Sequence, residues 1–545
     1  MGGARCLQLV VQHRNLFLML FVLGIGGTFQ YGYHMSVLNS PSPRSSFSHE
    51  GRAGACSVTA FIKQFINDTW MRRYGTRITD GSLTLIWSLV VSVFSIGGLI
   101  GSTASGYLTG RFGKKKCQLC IAVLPLVSAV LMGLSQTVDR IEMIVAARFL
   151  SGFYSGLGVN IHAQYVGETA PRKLRGFINA TGPLFVTLGK LCGQIVGLKE
   201  IFGTEFLWPQ VLLCSSISSL IQLVTLPFFP ESPTYLLLVK GDKEGCLKAL
   251  KQLWGDRDHQ PVIDEMMKEQ NNTQEKGKRM GVLELLRDNS NRCQLLTMIG
   301  LFTSLQLSGA NAIYFYAYDV FHEAGFPDDQ IPYVSLGVGS FELVSAMICG
   351  WSRIFITVMS GNSDRSPQEE AAVLGKPGTA PGAASSAVFC LNISADDAED
   401  GAVPERSQVN IESAGSDEST ICGKCMYGAS YGAIIKSLLI DRFGRRVLLL
   451  GGYSLMALTL ALLTVTLAMQ EKYFWMPYCS VGLTFTFIFV YGAGPAGATI
   501  STCVEIFAQA PRVPAFVISG VFGWVGLYIL GMIFPYVVVS WNLYI

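Results

Sequence analysis

The sequence predicts an all-α membrane protein that crosses the bilayer many times and consists of two homologous halves. Half of its 545 residues are hydrophobic and only 14% are charged, whereas a soluble protein carries about 25% charged residues. The apolar residues form repeated runs of membrane-spanning length, separated by short charged breaks. A basic phrase follows two of these runs, as RFGKKK at 111–116 and as RFGRR at 442–446. This repeat marks the two halves of one bundle.

Eleven segments contain the roughly 20 mainly apolar residues that a helix needs to cross a bilayer. They lie at 15–36, 83–108, 117–136, 143–165, 176–198, 208–229, 295–320, 331–350, 447–469, 476–501 and 513–539. The first is not a cleavable signal peptide, because it is long and lacks a small-residue cleavage site. Six segments fall in the first half and five in the second, so we expect the twelfth helix of a six-plus-six arrangement to be missing.

The loop charges predict how the bundle is oriented. Lysine and arginine are concentrated in alternate loops, with four between 111 and 116 and eleven between 240 and 292. The positive-inside rule therefore places these loops and the N-terminus in the cytosol. Loop 37–82 is then extracellular. Its Asn67, in an Asn-Asp-Thr triplet, is a predicted glycosylation site.

Composition divides the chain into three parts, and two further polar segments interrupt them; we call these two segments the additions. Residues 1–239 form the predicted N-terminal six-helix half, and 240–294 form a cytosolic linker of short amphipathic helices. Residues 295–545 form the C-terminal half with five spans. An extra Ser-, Gly-, Arg- and His-rich segment lies at 42–60, and a cytosolic insertion of disordered composition interrupts the second half at 351–437.

The second addition cuts a predicted helix. Joining Gly350 to Leu438 would restore a continuous helix that runs into Arg442. We interpret the insertion as translated non-coding sequence, and a regulatory cytosolic loop is the alternative.

Several other classes of function are excluded. The net charge of +3 gives no basis for nucleic-acid binding. Two lone CxxC pairs, at 117–120 and 422–425, have no partner ligands, so we expect neither a metal site nor a redox site. We see no Walker loop, no metal-ligand spacing and no nucleophile with a partner histidine, so we expect neither an enzyme nor a cofactor.

A set of short motifs occurs in a fixed order along the chain. It comprises QYGY at 30–33 with Asn39, residues 106–115, YVGE at 165–168 with Arg175, PESP at 230–233, QLSG at 306–309 with Asn311, DRFGRR at 441–446, Gly494-Pro495, Glu505 with Arg512, and Trp524. Together these motifs resemble the facilitative hexose transporters of the major facilitator superfamily, and within them the subgroup that handles fructose or urate. The resemblance covers nearly all of the chain outside its two additions.

The resemblance implies a fold of two six-helix halves and a function. A uniporter of this type moves a hexose down its gradient by alternating access, in the plasma membrane, with a small sugar and the lipid bilayer as its partners. Leu305, Pro183 and Ile500 replace residues that contact glucose in the glucose-preferring members, which favours fructose, urate or another substrate over glucose. Urate or another organic solute is one alternative, and a non-transporting sensor or a defective truncated splice form is another.

Charged residues at the predicted cytosolic ends of the spans form a duplicated set. In the first half these are Arg111, Glu168, Arg175 and Glu231, and in the second half they are Asp441, Arg442, Glu505 and Arg512. Paired charges at one face can latch two halves together and release them when they rock. The alternative is that each charge anchors its span at the membrane interface.

Polar side chains in the spans are the candidates for substrate binding, because a polyol must exchange water for matched hydrogen bonds. Gln306 and Asn311 lie deep in the seventh span but about 140° apart on a straight helix, so both face one cavity only if Gly309 breaks it. By the resemblance, Trp524 offers an aromatic platform for a sugar face. Tyr31 and Asn39 on the first span are further candidates.

Two charges lie within predicted spans, Lys190 in the fifth and Glu342 in the eighth. Such charges are costly and usually functional or paired. Since the resemblance implies that these two spans pack across the interface between the halves, we expect both residues to face each other or the cavity. Gln194, one turn beyond Lys190, shares its face. The alternative is that Lys190 snorkels to the outer surface.

Overall fold

The computed structural model describes residues 13–39, 58–171, 175–204, 206–275, 282–316, 320–322, 324–327, 330–360, 431–470, 472–496, 499, 502, 506–507 and 509–541. Within these ranges the regular elements are all helices, which confirms the all-α class. Eight of the described helices are long and apolar enough to cross a membrane.

The helices follow the predicted order. They are Arg14–Leu23, Phe29–Ser36, Val58–Tyr74, Asp80–Phe112, Lys114–Ile121, Val123–Val138, Ile141–Thr169, Arg175–Val196, Trp208–Leu213, Ser215–Thr225, Pro233–Leu238, Lys243–Trp254, Gln260–Glu275, Val282–Arg287, Arg292–Leu307, Ala310–Phe315, Ile331–Ser360, Tyr431–Ala468, Met476–Ala493 and Gln509–Trp541. A π-helical turn, Gly24–Thr28, joins the first two into one span. Every predicted span coincides with one or two helices, and we number the spans in that order.

Small residues allow the spans to pack closely. Gly97 and Gly101 of the second span lie directly on the carbonyl groups of Phe149 and Phe153 in the fourth. Gly32 of the first span lies in the same way on the backbone of the fifth. In a bilayer there is no hydrophobic driving force between helices, so close contact of this kind supplies much of their association.

Two pairs of spans supply most of the described contacts between the halves. The fifth span packs along the eighth, and the second packs along the eleventh. Residues that face inward on these four spans therefore meet at the interface between the halves.

The predicted linker and additions differ in how far the structure describes them. Helices Lys243–Trp254, Gln260–Glu275 and Val282–Arg287 occupy the linker. At the edges of the predicted insertion, residues 351–360 and 431–437 have helical backbone, and 361–430 lie outside the described residues.

The predicted extracellular loop contains a helix that we did not predict, Val58–Tyr74. Its apolar face, which includes Phe61, Ile62 and Phe65, packs into a core cluster that also contains Phe315 and Leu527 of the second half.

Candidate functional site

The seventh span is broken at Gly309, and this break brings two candidate side chains together. Helix Arg292–Leu307 ends there, Gly309 adopts a left-handed conformation with φ of 78°, and Ala310–Phe315 continues the span. A Cβ at Gly309 would meet nothing within 4 Å, so backbone conformation rather than space requires glycine. The Asn311 amide then donates a hydrogen bond of 2.9 Å to Gln306 Oε1. A straight helix could not form this contact.

Gln306 lies against the eleventh span beside the candidate aromatic platform. A Cβ at Gly526 would lie 2.8 Å from the Gln306 side chain, which shows how closely the amide approaches this helix. Two residues away, Trp524 packs on Gly98 of the second span. Its ring is 5.4 Å from that of Tyr31, in an edge-to-face arrangement. Residues of the first, second, seventh and eleventh spans therefore converge around Trp524.

The two intramembrane charges form an ion pair between the halves. Lys190 Nζ lies 2.9 Å from Glu342 Oε1 and 3.1 Å from Oε2, and both side chains are buried. The Tyr314 hydroxyl also donates to Glu342, and Lys190 Nζ lies 3.9 Å from the centre of the Tyr314 ring. The carboxylate thus has an ammonium and a phenol as partners, which compensates for its removal from water. In this structure Lys190 does not snorkel outward.

The ion pair lies next to the span that carries Tyr31. Gly32, which follows Tyr31 in the first span, packs on the backbone of the fifth span at Val186 and Lys190. Gln194 lies against Gly339, one turn before Glu342 on the eighth span, as expected for a side chain on the face of Lys190. The fifth span thereby contacts both the first span and the eighth.

Two further predicted residues belong to the predicted extracellular loop 37–82 or to its edge. Asn39 ends the short helical turn Val37–Asn39, and its side chain lies outside the described residues. Asn67 is partly exposed on helix Val58–Tyr74. Thr69, the third residue of its triplet, donates a 2.6 Å hydrogen bond to Asp139, so this helix is fixed to the loop after the third span.

A charge cluster ties together three parts of the first half at its predicted cytosolic end. Lys114 Nζ lies 2.6 Å from Glu168 Oε2, and the Ser232 hydroxyl also donates to Glu168. Glu231 accepts backbone N–H groups of Lys114 and Lys115, each at 2.9 Å, and that of Ser232 at 3.0 Å. We call these contacts of Lys114, Glu168, Glu231 and Ser232 the inner charge cluster.

Arg111 was predicted to belong to this group together with Glu168 and Glu231. It donates instead to the Tyr107 hydroxyl one turn earlier in its own helix, at 2.7 Å. Sequence reasoning overlooked Lys114, although it stands in the same basic phrase. The other predicted latch residues lie outside the described residues, either wholly or in their side chains. These are Arg175, Asp441, Arg442, Glu505 and Arg512.

A third intramembrane charge, Arg148 in the fourth span, escaped the sequence analysis. Its side chain is fully buried and donates to the carbonyl groups of His34 and Val90, at 3.1 and 3.4 Å. The guanidinium also lies 4.6 Å from the centre of the Phe94 ring, which in turn contacts Tyr31 and Trp524. The rule applied to Lys190 would have found Arg148, because it stands inside an apolar run.

Comparison with protein families gives one match over most of the chain. The model of the family described as "Sugar (and other) transporter" matches residues 19–355 and 411–545. The residues that it leaves unmatched, 356–410, fall within the predicted insertion.

Relatives of similar length support the same grouping. Human solute carrier family 2, facilitated glucose transporter member 11, is 31% identical, and the alignment covers 98% of this chain and 86% of the relative. Mouse member 9 and horse member 5 of the same family are also 31% identical, each over 97% of this chain and over 79% and 85% of the relatives.

Solved structures share the fold. The proton:xylose symporter XylE bound to 6-bromo-6-deoxy-D-glucose superposes with a TM-score of 0.63 at 17% identity, over 97% of this chain and 90% of that one. A partially occluded inward-open structure of the xylose transporter XylE from E. coli gives 0.62 at 16% identity, over 96% and 91%.

Proposed function

Since this chain belongs to the sugar transporter family of the major facilitator superfamily, we propose that it is a uniporter that moves a hexose, fructose rather than glucose, down its gradient. The supporting observation is that polar and aromatic side chains from the first, fifth, seventh, eighth and eleventh spans converge between the halves. A pathway at that position can open to either side of the membrane when the halves rock.

The site has the chemistry that a neutral polyol requires. The joined amides of Gln306 and Asn311 present both donors and acceptors. The Trp524 ring offers an apolar face for the C–H surface of a sugar, and Tyr31 fixes that ring by edge-to-face contact. Lys190 and Glu342 supply further polar groups beside Tyr31, with Gln194 on the same helix face, and Asn39 is proposed as an outer contact.

The proposed preference for fructose rests on three positions at which this chain lacks the residues that contact glucose in glucose-preferring members. Pro183 lies inside the fifth-span helix, where glucose-preferring members carry a pocket glutamine, and Leu305 packs beside the apolar cluster of the second half. Neither side chain can hydrogen-bond a hydroxyl group. Ile500, the third substitution, lies outside the described residues. The relatives quoted above are named as facilitated glucose transporters, so glucose is the necessary competitor in any test.

Alternating access would combine an ion pair between the halves with a charge cluster inside each half. The ion pair Lys190–Glu342 joins the fifth and eighth spans in the membrane interior. The inner charge cluster stiffens the cytosolic end of the first half, and we propose that its counterpart in the second half uses Asp441, Arg442, Glu505 and Arg512. Rocking of one half against the other then exposes the central site alternately to the two sides.

The test is uptake of labelled fructose, glucose and urate by proteoliposomes that contain the purified full-length chain, with a form lacking 351–437 alongside. We expect saturable uptake of fructose, abolished by Gln306→Leu. Thr297→Ala is the matched control, because its exposed hydroxyl bonds only to Cys293 of the same helix. Uptake of urate alone would support the organic-solute alternative, and uptake of none by either form would identify a non-transporting protein.

A further inference from the structure

A cavity of about 310 Å³ lies beside the loop between the second and third spans, at the predicted cytosolic end of the first half. Its lining includes the lysines Lys115, Lys116 and Lys240 and the apolar residues Phe112, Leu119 and Leu236. The cavity therefore combines three lysine side chains with a mainly apolar wall.

The cavity has a net positive charge. Three lysines and one acidic residue, Glu231, line it, and the Glu231 carboxylate accepts the backbone N–H groups of Lys114 and Lys115. Lys115 is fixed by a hydrogen bond of 2.8 Å from its Nζ to the Pro227 carbonyl group. Lys116 and Lys240 are exposed, and within the described ranges neither forms an ion pair. The positive charges of the lining therefore outnumber the single carboxylate.

The rim of the cavity matches the boundary between lipid and water. Phe112 is 50% exposed at the end of the second span, and Phe228, next to Pro227, is 76% exposed. Lysine is concentrated in cytosolic loops close to the ends of the spans, and lysine side chains near helix ends extend toward the headgroup region. The cytosolic leaflet carries the anionic lipids, and basic pockets at membrane-helix ends bind their headgroups.

We propose that this cavity binds an anionic phospholipid, with its phosphate between Lys115, Lys116 and Lys240 and its acyl chains along Phe112 and Leu119. The binding does not depend on which solute the protein transports. Glu231 belongs both to the cavity and to the inner charge cluster, and the backbone N–H of Lys115 donates to it, so a bound headgroup also holds that cluster in place. Anionic lipid should therefore stabilise the folded protein.

The experiment compares lipid binding by the full-length protein in nanodiscs of phosphatidylcholine alone and of phosphatidylcholine with phosphatidylserine. Retained lipid is counted by native mass spectrometry, and thermal unfolding is followed in parallel. We expect selective retention of the anionic lipid and a higher melting temperature. Each lysine should contribute about fivefold in affinity, so the double variant Lys116→Gln, Lys240→Gln should bind roughly 25-fold more weakly.

Lys248→Gln is the matched control, since Lys248 is exposed on helix Lys243–Trp254 and does not line the cavity. Equal retention of both lipids, or equal binding by the double variant and the control, would overturn the proposal. Inorganic phosphate and water-soluble glycerophosphoserine form a separate arm. If either raises the melting temperature as much as the lipid does, the cavity is a site for free anions and the lipid assignment is wrong.

Discussion

Two ion pairs in this protein have similar chemistry and opposite surroundings. Lys190 and Glu342 meet at 2.9 Å between the halves, with side chains only 5% and 7% exposed. Arg72 and Asp139 meet at 2.6 Å on the predicted extracellular side, with 59% and 35% exposure. The longer pair is expected to matter far more, because the cost of leaving a charge without its partner depends on how little water can replace that partner.

The inner charge cluster lies between these extremes. Lys114 is 9% exposed and Glu168 28%, and several of the cluster's contacts come from backbone N–H groups rather than from a second side chain. The three sites therefore form a series in which exposure changes more than distance does. Substitutions at the three sites therefore show whether burial or contact distance determines how much each pair contributes to stability.

The largest effect is expected for Lys190→Leu. This change leaves the Glu342 carboxylate in the membrane interior with only the Tyr314 hydroxyl as a described hydrogen-bond partner, and unpaired buried charges cost about 3–5 kcal/mol. Chemical unfolding in detergent micelles should show that loss, and fructose uptake should fall at least about tenfold, which corresponds to 1.4 kcal/mol in the transport barrier. Unchanged transport at unchanged surface expression would mean that the pair has no role in the cycle.

The double variant Lys190→Leu, Glu342→Leu separates stability from transport. Replacing both members of a buried pair by apolar residues is often neutral or stabilising, so the free energy of unfolding should return close to that of the wild type. If uptake stays low although stability is restored, the charges themselves are needed for transport. Recovery of both properties would limit the pair to a structural role.

A smaller effect is expected for Tyr314→Phe, which removes one donor from Glu342 and keeps the ring that faces Lys190. A hydrogen bond to a charged group contributes about 1.5–3 kcal/mol. The free energy of unfolding should fall by that amount, while the Lys190–Glu342 pair stays intact. Tyr316→Phe is a control at a buried tyrosine whose hydroxyl donates to an uncharged acceptor, the carbonyl group of Gly531, and it should cost less.

For the inner charge cluster we expect about 1–3 kcal/mol from Glu231→Ala, since three backbone N–H groups lose their acceptor near water. Glu231→Gln keeps one acceptor oxygen and should recover part of the loss. Thermal unfolding of the three proteins at low and high salt measures this. A cost for Glu231→Ala as large as that for Lys190→Leu would contradict the ranking by burial.

Features that produce a local pattern in the sequence could be predicted. The spans were predictable because a membrane helix is a local signal of about 20 apolar residues. Lys190 and Glu342 stood out because a charge in such a run is rare. Arg148 could have been found by the same rule.

Other features depend on tertiary placement and leave no local signal. The contact of Gln306 with Asn311 requires the left-handed turn at Gly309, and glycine at one position permits such a turn without requiring it. The contact between the rings of Tyr31 and Trp524 depends on how two helices from different halves pack. Helix Val58–Tyr74 did carry a signal, since Val58, Ile62 and Phe65 recur at helical spacing, but the polar residues before it obscured the pattern.

The smallest effect is expected at the exposed end of the series, for Asp139→Asn. Hydrogen bonds from Arg72 and Thr69 hold the pKa of the Asp139 carboxyl below its usual value of 3.8. Because the folded-state pKa is the lower one, the pair stabilises the protein fully above pH 3.8 and loses this contribution as the pH falls through the folded-state value. Asn also tolerates the left-handed backbone at this position, φ 55°.

Wild type and variant should therefore melt within experimental scatter of each other at pH 7 and show the same pH dependence down to about pH 5. Any difference between their melting temperatures should shrink below pH 4. A clear loss of stability at pH 7 in physiological salt would show that contact distance matters here more than exposure, because this pair is the shorter of the two and the more exposed.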